Sequence, residues 1–460
     1  MNLNDLKSKK ILLLGFGVEN IAMAKYLSKN NISFSIADKR SREDILTELD
    51  SDNLLIDEFL CGENYMNELQ KFEVVFRTPG IAFLDERIQS AIKSDVIITS
   101  QIKFFLDNCK AKTIGITGTK GKGTTSTLIY KILEKEFENQ VKVLLGGNIG
   151  NPPIDFLDEL DDKDVVVLEL SSFQLQDLEK SPNIAVVLDI KSDHLDVHKS
   201  HEEYVQAKTN IVRFQKENDF ACINLDYFTS MEFASFTKAN IYWFSRRKSV
   251  DAGVWVNNQE SIILRDKDND RELTNVKELI LRGEHNWENI CAASLASYLS
   301  GAKIETISTI IEKFPGLEHR LEFVNEINGI KFYNDSFSTT PDTAIAAINS
   351  FSEPIILIAG GSEKNADYGE FGREIAKSKV KVLIAIGKTG PRIVQASKEA
   401  GATATVIDNC QNLDQVFDAI KELSKKGDIV LLSPASASFD WFKNYKDRGE
   451  QFKQKAKAWR

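Results

Sequence analysis

Residues 113–127 read Thr-Ile-Gly-Ile-Thr-Gly-Thr-Lys-Gly-Lys-Gly-Thr-Thr-Ser-Thr. A short apolar run breaks into glycines and lysines, and the following stretch, Leu128 to Phe137, carries apolar residues at helical spacing. The pattern predicts strand, glycine loop, helix. Glycines in such a loop let consecutive backbone N–H groups point into one concavity, the helix N-terminus adds partial positive charge, and Lys122 reaches the outer phosphates of a polyphosphate. The strict spacing G-x-x-x-x-G-K-[ST] is not met, because Ile116 stands at its first glycine and Gly123 where a hydroxyl would meet magnesium. On its own the stretch also fits a glycine-rich turn with surface lysines.

Around this loop, Lys112 to Thr117, Val141 to Leu145, Asp164 to Leu170 and Ile184 to Leu188 read as strands separated by helical stretches or loops. That alternation predicts a mostly parallel, doubly wound sheet with its ligand at the strands' carboxyl ends. Three loops at such ends carry polar chemistry: Gly146-Gly-Asn148-Ile-Gly150, Glu169-Leu-Ser171-Ser172-Phe-Gln174 and Lys191-Ser-Asp193-His194-Leu-Asp196. Glu169 ends a β-rich run, where a carboxylate on a strand next to a phosphate loop holds magnesium; a buried acid satisfied by Ser171 or Ser172 is the other reading. His194, His198 and His201 cluster, but one short loop lacks the rigid support of a zinc site, and His194 alone is the better functional candidate.

Upstream, Ile11 to Leu14, the turn Gly15-Phe-Gly17-Val-Glu-Asn20 and a helical run precede a strand ending in Asp38. This is close to a dinucleotide fingerprint, with Asn20 in place of the third glycine; it fits NAD, a UDP-sugar or a plain turn. Val74 to Arg77 and Val96 to Thr99 read as further strands, with Thr78-Pro-Gly80 a turn. Downstream, Ile241 to Phe244, Val254 to Val256 and Ile262 to Leu264 read as short antiparallel strands around Asn257-Asn258, and a helix from Glu284 through Leu299 stops at Gly301. Beyond Phe314-Pro-Gly316, Asn328-Gly329 between two β runs predicts a hairpin. Pro354 to Ala359, Val380 to Ile386 and Asp428 to Leu432 make a second βαβ set.

The chain has 460 residues, enough for two to three domains. A net charge of -10 argues against general nucleic-acid affinity. The 5 cysteines lie far apart, suggesting neither zinc knuckle nor disulfide framework but a reducing cytoplasm, and no run predicts a membrane span.

TGTKGKGTT, GGNIG, LELSSFQL, DHLD with a downstream YVQAK, GEHNWEN, GLEHR, YNDSFSTTP and LLSPASASFDWFKNYKDRG follow one another over nearly the whole chain. Together they resemble the Mur ligases, ATP-dependent amide ligases of peptidoglycan synthesis, and LSSFQL with the SPASAS tail resembles the D-glutamate-adding branch. The resemblance implies an α/β protein of three domains. These are a Rossmann-like UDP-sugar domain (1–108), a central P-loop ATPase with a doubly wound sheet and a small antiparallel sheet (109–317), and a Rossmann-like amino-acid domain (318–460). It implies UDP-N-acetylmuramoyl-L-alanine and D-glutamate as substrates and ATP with two Mg2+ ions. Apart from the resemblance, the cysteines, the acid excess and the lack of a coiled-coil or long apolar surface stretch predict a cytoplasmic monomer that binds neither nucleic acid nor membrane.

By the same resemblance Gly118, Thr119, Lys120, Gly121, Lys122, Gly123, Thr124, Thr125, Asn286, Asn289, Arg320 and Asp335 would hold ATP. Glu169, His194, Thr124 and a carbamylated Lys208 would hold metal, with Lys122 acting on the transferring phosphoryl group. Gly17, Val18, Asp38, Arg40, Thr78, Asn148 and His194 would bind the UDP-substrate, and Thr339, Lys364, Ser438 and Tyr445 D-glutamate. Gly123, Phe337, Ser362 and Ser436 depart from the family pattern; Phe337 stands where lysine is usual. A sister ligase, a folylpolyglutamate synthase-like enzyme, an NAD-dependent oxidoreductase and a non-catalytic nucleotide-binding regulator are the alternatives.

Overall fold

The computed structural model describes residues 1–49, 54–138, 140–191, 201–267, 269–363 and 366–459. Two compact units form: Met1–Asn275 with Glu288–Ile311, and Val276–Trp287 with Glu312–Arg460. Among the described residues no helix is long and apolar enough to cross a membrane.

The first unit holds two sheets. One contains β1 (Ile11–Leu14), β2 (Phe34–Asp38), β3 (Ile56–Cys61), β4 (Val74–Arg77) and β5 (Ile97–Thr99), all parallel in the order β3-β2-β1-β4-β5. Ile-Leu-Leu-Leu in β1 is buried throughout, as a strand covered on both faces requires. The strand order reverses between β1 and β4, so the turns after Leu14 and Arg77 share one crevice, the usual ligand position in such sheets.

The second sheet contains β6 (Lys112–Thr117), β7 (Val143–Gly147), β8 (Val165–Glu169), β9 (Ile184–Val187), β10 (Phe220–Asn224), β11 (Asn240–Ser245), β12 (Gly253–Val256), β13 (Ser261–Asp266) and β14 (Asn269–Asn275). Their order is β14-β13-β12-β11-β10-β9-β6-β8-β7. The antiparallel strands therefore continue the doubly wound sheet. Ile241 to Phe244 corrects the sequence expectation: β11 pairs parallel with both β10 and β12, and antiparallel pairing begins only between β12 and β13. Helix Gln101–Asn108 joins the two sheets, its Phe104 and Phe105 rings meeting Phe76 and Phe156 edge-on at 5.9 Å.

The second unit contains β15 (Glu322–Ile327), β16 (Ile330–Asn334), β17 (Ile355–Gly360), β18 (Val380–Ile386), β19 (Thr405–Ile407) and β20 (Ile429–Leu432), in the order β15-β16-β20-β17-β18-β19. The hairpin forms as expected, with φ of 54° at Asn328 and 75° at Gly329 supplying the two positive values a type I′ turn requires. The other pairings are parallel.

Candidate active site

β6 delivers Thr117 to the glycine loop, and the helix begins directly at Lys122 (Lys122–Glu136), so Gly123, Thr124 and Thr125 lie in its first turn. Gly121 has φ 85°, and a Cβ there would stand 2.2 Å from Asn289 Oδ1. Asn289 thus packs on the loop, within 3.4 Å of Thr125 Oγ1. Lys122 Nζ folds back to donate to the carbonyls of Gly118 (2.9 Å) and Thr119 (3.1 Å). Thr119 is tied to the strand-end of β9, its N–H donating to Asp189 O at 2.7 Å. Gly121→Ala is expected to raise the KM for ATP about tenfold, since the left-handed backbone penalises a Cβ by ~1–2 kcal/mol and the Asn289 amide must move. An unchanged KM would refute this account of the loop.

Glu169, the last residue of β8, stands in register with Ile116 on one side and Gly147 on the other, beside the loop. Its buried carboxylate accepts Asn148 Nδ2 at 3.0 Å, so neither Ser171 nor Ser172 is the partner seen; Ser171 instead caps helix Ser172–Leu175. Lys208, on helix His201–Arg213, is 1% exposed, and its Nζ donates to Thr117 Oγ1 (3.1 Å) and Gly118 O (3.2 Å) over the Tyr204 ring. The structure therefore brings Lys122, Glu169, Asn148, Lys208, Thr124, Thr125 and Asn289 around one loop. His194, His198 and Lys364 lie outside the described residues. Among the described residues no three His, Cys, Asp or Glu side chains cluster for a metal. A magnesium ion bound through one or two carboxylates, waters and phosphates needs no such cluster, and buried Glu169 beside the glycine loop fits it.

At the first sheet's crevice, Gly15 has φ 76°, and a Cβ there would stand 2.4 Å from Thr78 Oγ1. Gly17 caps helix Val18–Lys29, and Val18 is 71% exposed. Asp38 accepts from Phe16 N–H (2.7 Å), Arg40 N–H (2.9 Å) and Arg40 Nε (3.0 Å). Burial works to raise its pKa, but these bonds outweigh it and hold the carboxyl below the usual range. Asn20 has a structural reason: its Nδ2 donates to the carbonyls of Leu14 (3.2 Å), Gly15 (2.8 Å) and Phe76 (2.9 Å), fastening the turn to β1 and β4.

In the second unit, β16, β17 and β20 end together. Asp335 is buried and accepts Leu321 N–H (3.1 Å) and Ser433 Oγ–H (2.7 Å); burial pushes its carboxyl up to about 6. Arg320 sits between two residues of positive φ, His319 (64°) and Leu321 (45°), with its guanidinium 5.4 Å from the Phe337 ring centroid. Tyr445 meets Phe337 edge-on at 5.2 Å, Thr339 N–H donates to Phe337 O at 2.8 Å, and Ser438 is buried. Asn286, in this unit, donates to Arg282 O at 2.6 Å. Ser436 exchanges hydroxyl bonds with Tyr368 (2.7 Å) and Thr389 (2.8 Å), and Ser362 Oγ accepts Phe439 N–H at 3.2 Å.

Three family models match the chain: the Mur ligase MurD-like N-terminal domain over residues 9–100, the Mur ligase middle domain over 116–297, and the Mur ligase glutamate ligase domain over 319–436. The chain belongs to the Mur ligase family. It is 38% identical to the UDP-N-acetylmuramoylalanine--D-glutamate ligase of Acetivibrio thermocellus, covering 98% of each chain. It is 36% identical to the enzyme of the same name from Clostridium novyi, covering 98% of this chain and 96% of that one. Among solved structures, UDP-N-acetylmuramate-alanine ligase of Thermotoga maritima matches at TM-score 0.58 and 18% identity over 98% of this chain and 99% of that one. MurF of Acinetobacter baumannii matches at TM-score 0.61 and 17% identity over 92% and 89%. These structures share the three-domain α/β fold.

Four groups of this Mur ligase have partners that the sequence alone does not assign. Arg77 is 1% exposed and donates to the carbonyls of Ile81 (2.6 Å), Phe173 (3.1 Å) and Thr78 (3.2 Å), with Asp177 at 3.5 Å. Gln174 links Ser171 N–H, accepted at 3.0 Å, to Glu19 Oε1, donated to at 2.7 Å. Arg448 is likewise 1% exposed and enclosed by backbone carbonyls. Glu19 stands in the turn between Gly17 and Asn20, and nothing in its spacing marks it.

Proposed function

We propose that this protein catalyses the ATP-dependent addition of D-glutamate to UDP-N-acetylmuramoyl-L-alanine in peptidoglycan precursor synthesis. The observation that carries the reading is 34–38% identity over nearly the full length to D-glutamate ligases. A free carboxylate does not react with an amine, so the alanyl carboxylate first takes the γ-phosphoryl group of ATP. The D-glutamate amine then attacks the acyl phosphate, a tetrahedral intermediate forms, and phosphate leaves.

In this reading the loop Gly118, Thr119, Lys120, Gly121, Lys122, Gly123, Thr124 and Thr125 cradles the ATP phosphates, and Lys122 carries positive charge to the transferring phosphoryl group. Asn286 and Asn289 serve the nucleoside, and Arg320, set by Asp335, serves the γ-phosphate. Glu169, His194 and Thr124 supply metal ligands, and Lys208, carbamylated by carbon dioxide, supplies an oxygen anion in place of its cation. Two magnesium ions, when bound, neutralise phosphate oxygens. Gly17, Val18, Asp38, Arg40 and Thr78 take the uridine diphosphate, and Asn148 and His194 the muramoyl end. Thr339, Lys364, Ser438 and Tyr445 take D-glutamate, a dicarboxylate suited to a lysine and hydroxyls. The division 1–108, 109–317 and 318–460 assigns these tasks to three domains of a cytoplasmic monomer.

The test is phosphate release from ATP with UDP-N-acetylmuramoyl-L-alanine, comparing D-glutamate, L-glutamate, L-lysine and no amino acid. Release strictly dependent on D-glutamate is expected. Release with another amino acid instead would move the protein to a sister ligase, and silence at saturating magnesium and bicarbonate would refute catalysis.

A further inference from the structure

Glu19 is the second residue of helix Val18–Lys29, in the turn at which the diphosphate is placed above. Its Oε1 accepts Gln174 Nε2 at 2.7 Å, and its buried Oε2 has no hydrogen-bond partner among the described residues. The charged groups facing it are Arg77, at the end of β4, and Asp177, beyond helix Ser172–Leu175. Asp177 is itself buried and faces Arg77 and Lys103. Lys103 is paired with Glu179 at 2.7 Å. Arg77 is already donating to three carbonyls and lies 3.5 Å from Asp177. One guanidinium thus stands against two buried carboxylates. Burial, only partly offset by the Gln174 bond and Arg77, pushes Glu19 up to about 7.

A sugar nucleoside diphosphate brings two fixed negative charges and no group that titrates near neutrality. Docked on the Gly17 and Val18 amides, those charges disfavour an ionised Glu19 in the same helical turn, because its Oε2 is buried away from the water that covers the exposed Val18. We infer that Glu19 is a proton-linked positioning residue, which takes up a proton as the diphosphate docks. Through Gln174, which also accepts Ser171 N–H, it ties the substrate turn to the loop behind Glu169. The inference rests on the reading of that turn as the UDP-sugar site. Substrate affinity is then full below the free-state pKa of Glu19 and is lost as pH rises through neutrality.

The experiment is calorimetric titration of the full chain with UDP-N-acetylmuramoyl-L-alanine at pH 7, in buffers of different ionisation enthalpy. Wild-type protein is expected to take up about half a proton per substrate bound, and its Kd to weaken by up to about tenfold per pH unit above neutrality. Glu19→Gln keeps an oxygen to accept from Gln174 and should lose both effects. Binding with equal proton uptake in Glu19→Gln would overturn the inference, as would zero uptake in the wild-type protein, which needs no variant. Absence of binding would overturn the substrate reading beneath it.

Discussion

Lys122→Ala is expected to lower ATP-dependent phosphate release about a thousandfold while leaving binding of the UDP-sugar substrate unchanged. The amine starts the helix that follows the glycine loop and is held by the carbonyls of Gly118 and Thr119. Those neutral acceptors are readily exchanged for phosphate oxygens, whose charge attracts it more strongly. Charge moves onto the β–γ bridging oxygen and the equatorial oxygens during transfer, and removal of one preorganised electrostatic donor from such a site typically costs ~3–4 kcal/mol of barrier. A loss of about a thousandfold lies at the upper end of that range. Single-turnover rates at saturating ATP measure the chemical step, and calorimetry of the UDP-substrate is the control. A loss smaller than tenfold would remove Lys122 from the chemistry.

The loop was legible because strand, glycines, lysine and helix are consecutive, and the hairpin because Asn-Gly carries its turn geometry in two residues. Pairing direction was not local. Ile241 to Phe244 reads the same in either orientation, and only the connection from β10 fixes it as parallel. β14 escaped because Asn-Asp-Arg-Glu-Leu-Thr-Asn is mostly polar and lies at a sheet edge, and β19 because it is three residues long. Glu169 could be placed beside the loop from its strand-end position alone. Lys208 could not: helical spacing does not say which lysine points beneath a loop some ninety residues earlier in the chain, and the family resemblance had to supply it. Asn20 looked like a defect in a glycine motif because its three carbonyl acceptors come together only in the folded sheet. Arg77 and Arg448 were missed for a related reason. Arginine is a surface residue by composition, and burial becomes tolerable only where tertiary structure gathers enough acceptors.

Arg448 allows a second large effect to be derived from geometry. Its Nε donates to Ser336 Oγ at 2.9 Å, Nη1 to the carbonyls of Ser436 (3.1 Å) and Ala437 (3.2 Å), and Nη2 to Ser336 O at 2.9 Å. One planar fork thus fastens the segment after β16 to the segment after β20, which carry Thr339 and Ser438. Burial pulls the guanidinium down to about 10, against the attraction of Asp440 and Asp335, so the group remains charged at neutral pH. Arg448→Leu would leave three buried carbonyls and a hydroxyl without this donor, and Arg320 would remain as the cation facing Asp335. Loss of one member of such a network costs ~3–5 kcal/mol. At ~2–4 °C per kcal/mol for a unit of this size, the melting temperature should fall by about 10 °C. Lysine should not rescue it, since a single ammonium cannot span acceptors on two segments in the plane of the fork. Thermal unfolding of the two variants measures the loss, and the KM for D-glutamate should rise in whatever fraction folds. A shift below ~2 °C for Arg448→Leu would mean that the carbonyls find water instead, and that the two segments are held by β16 and β20 alone.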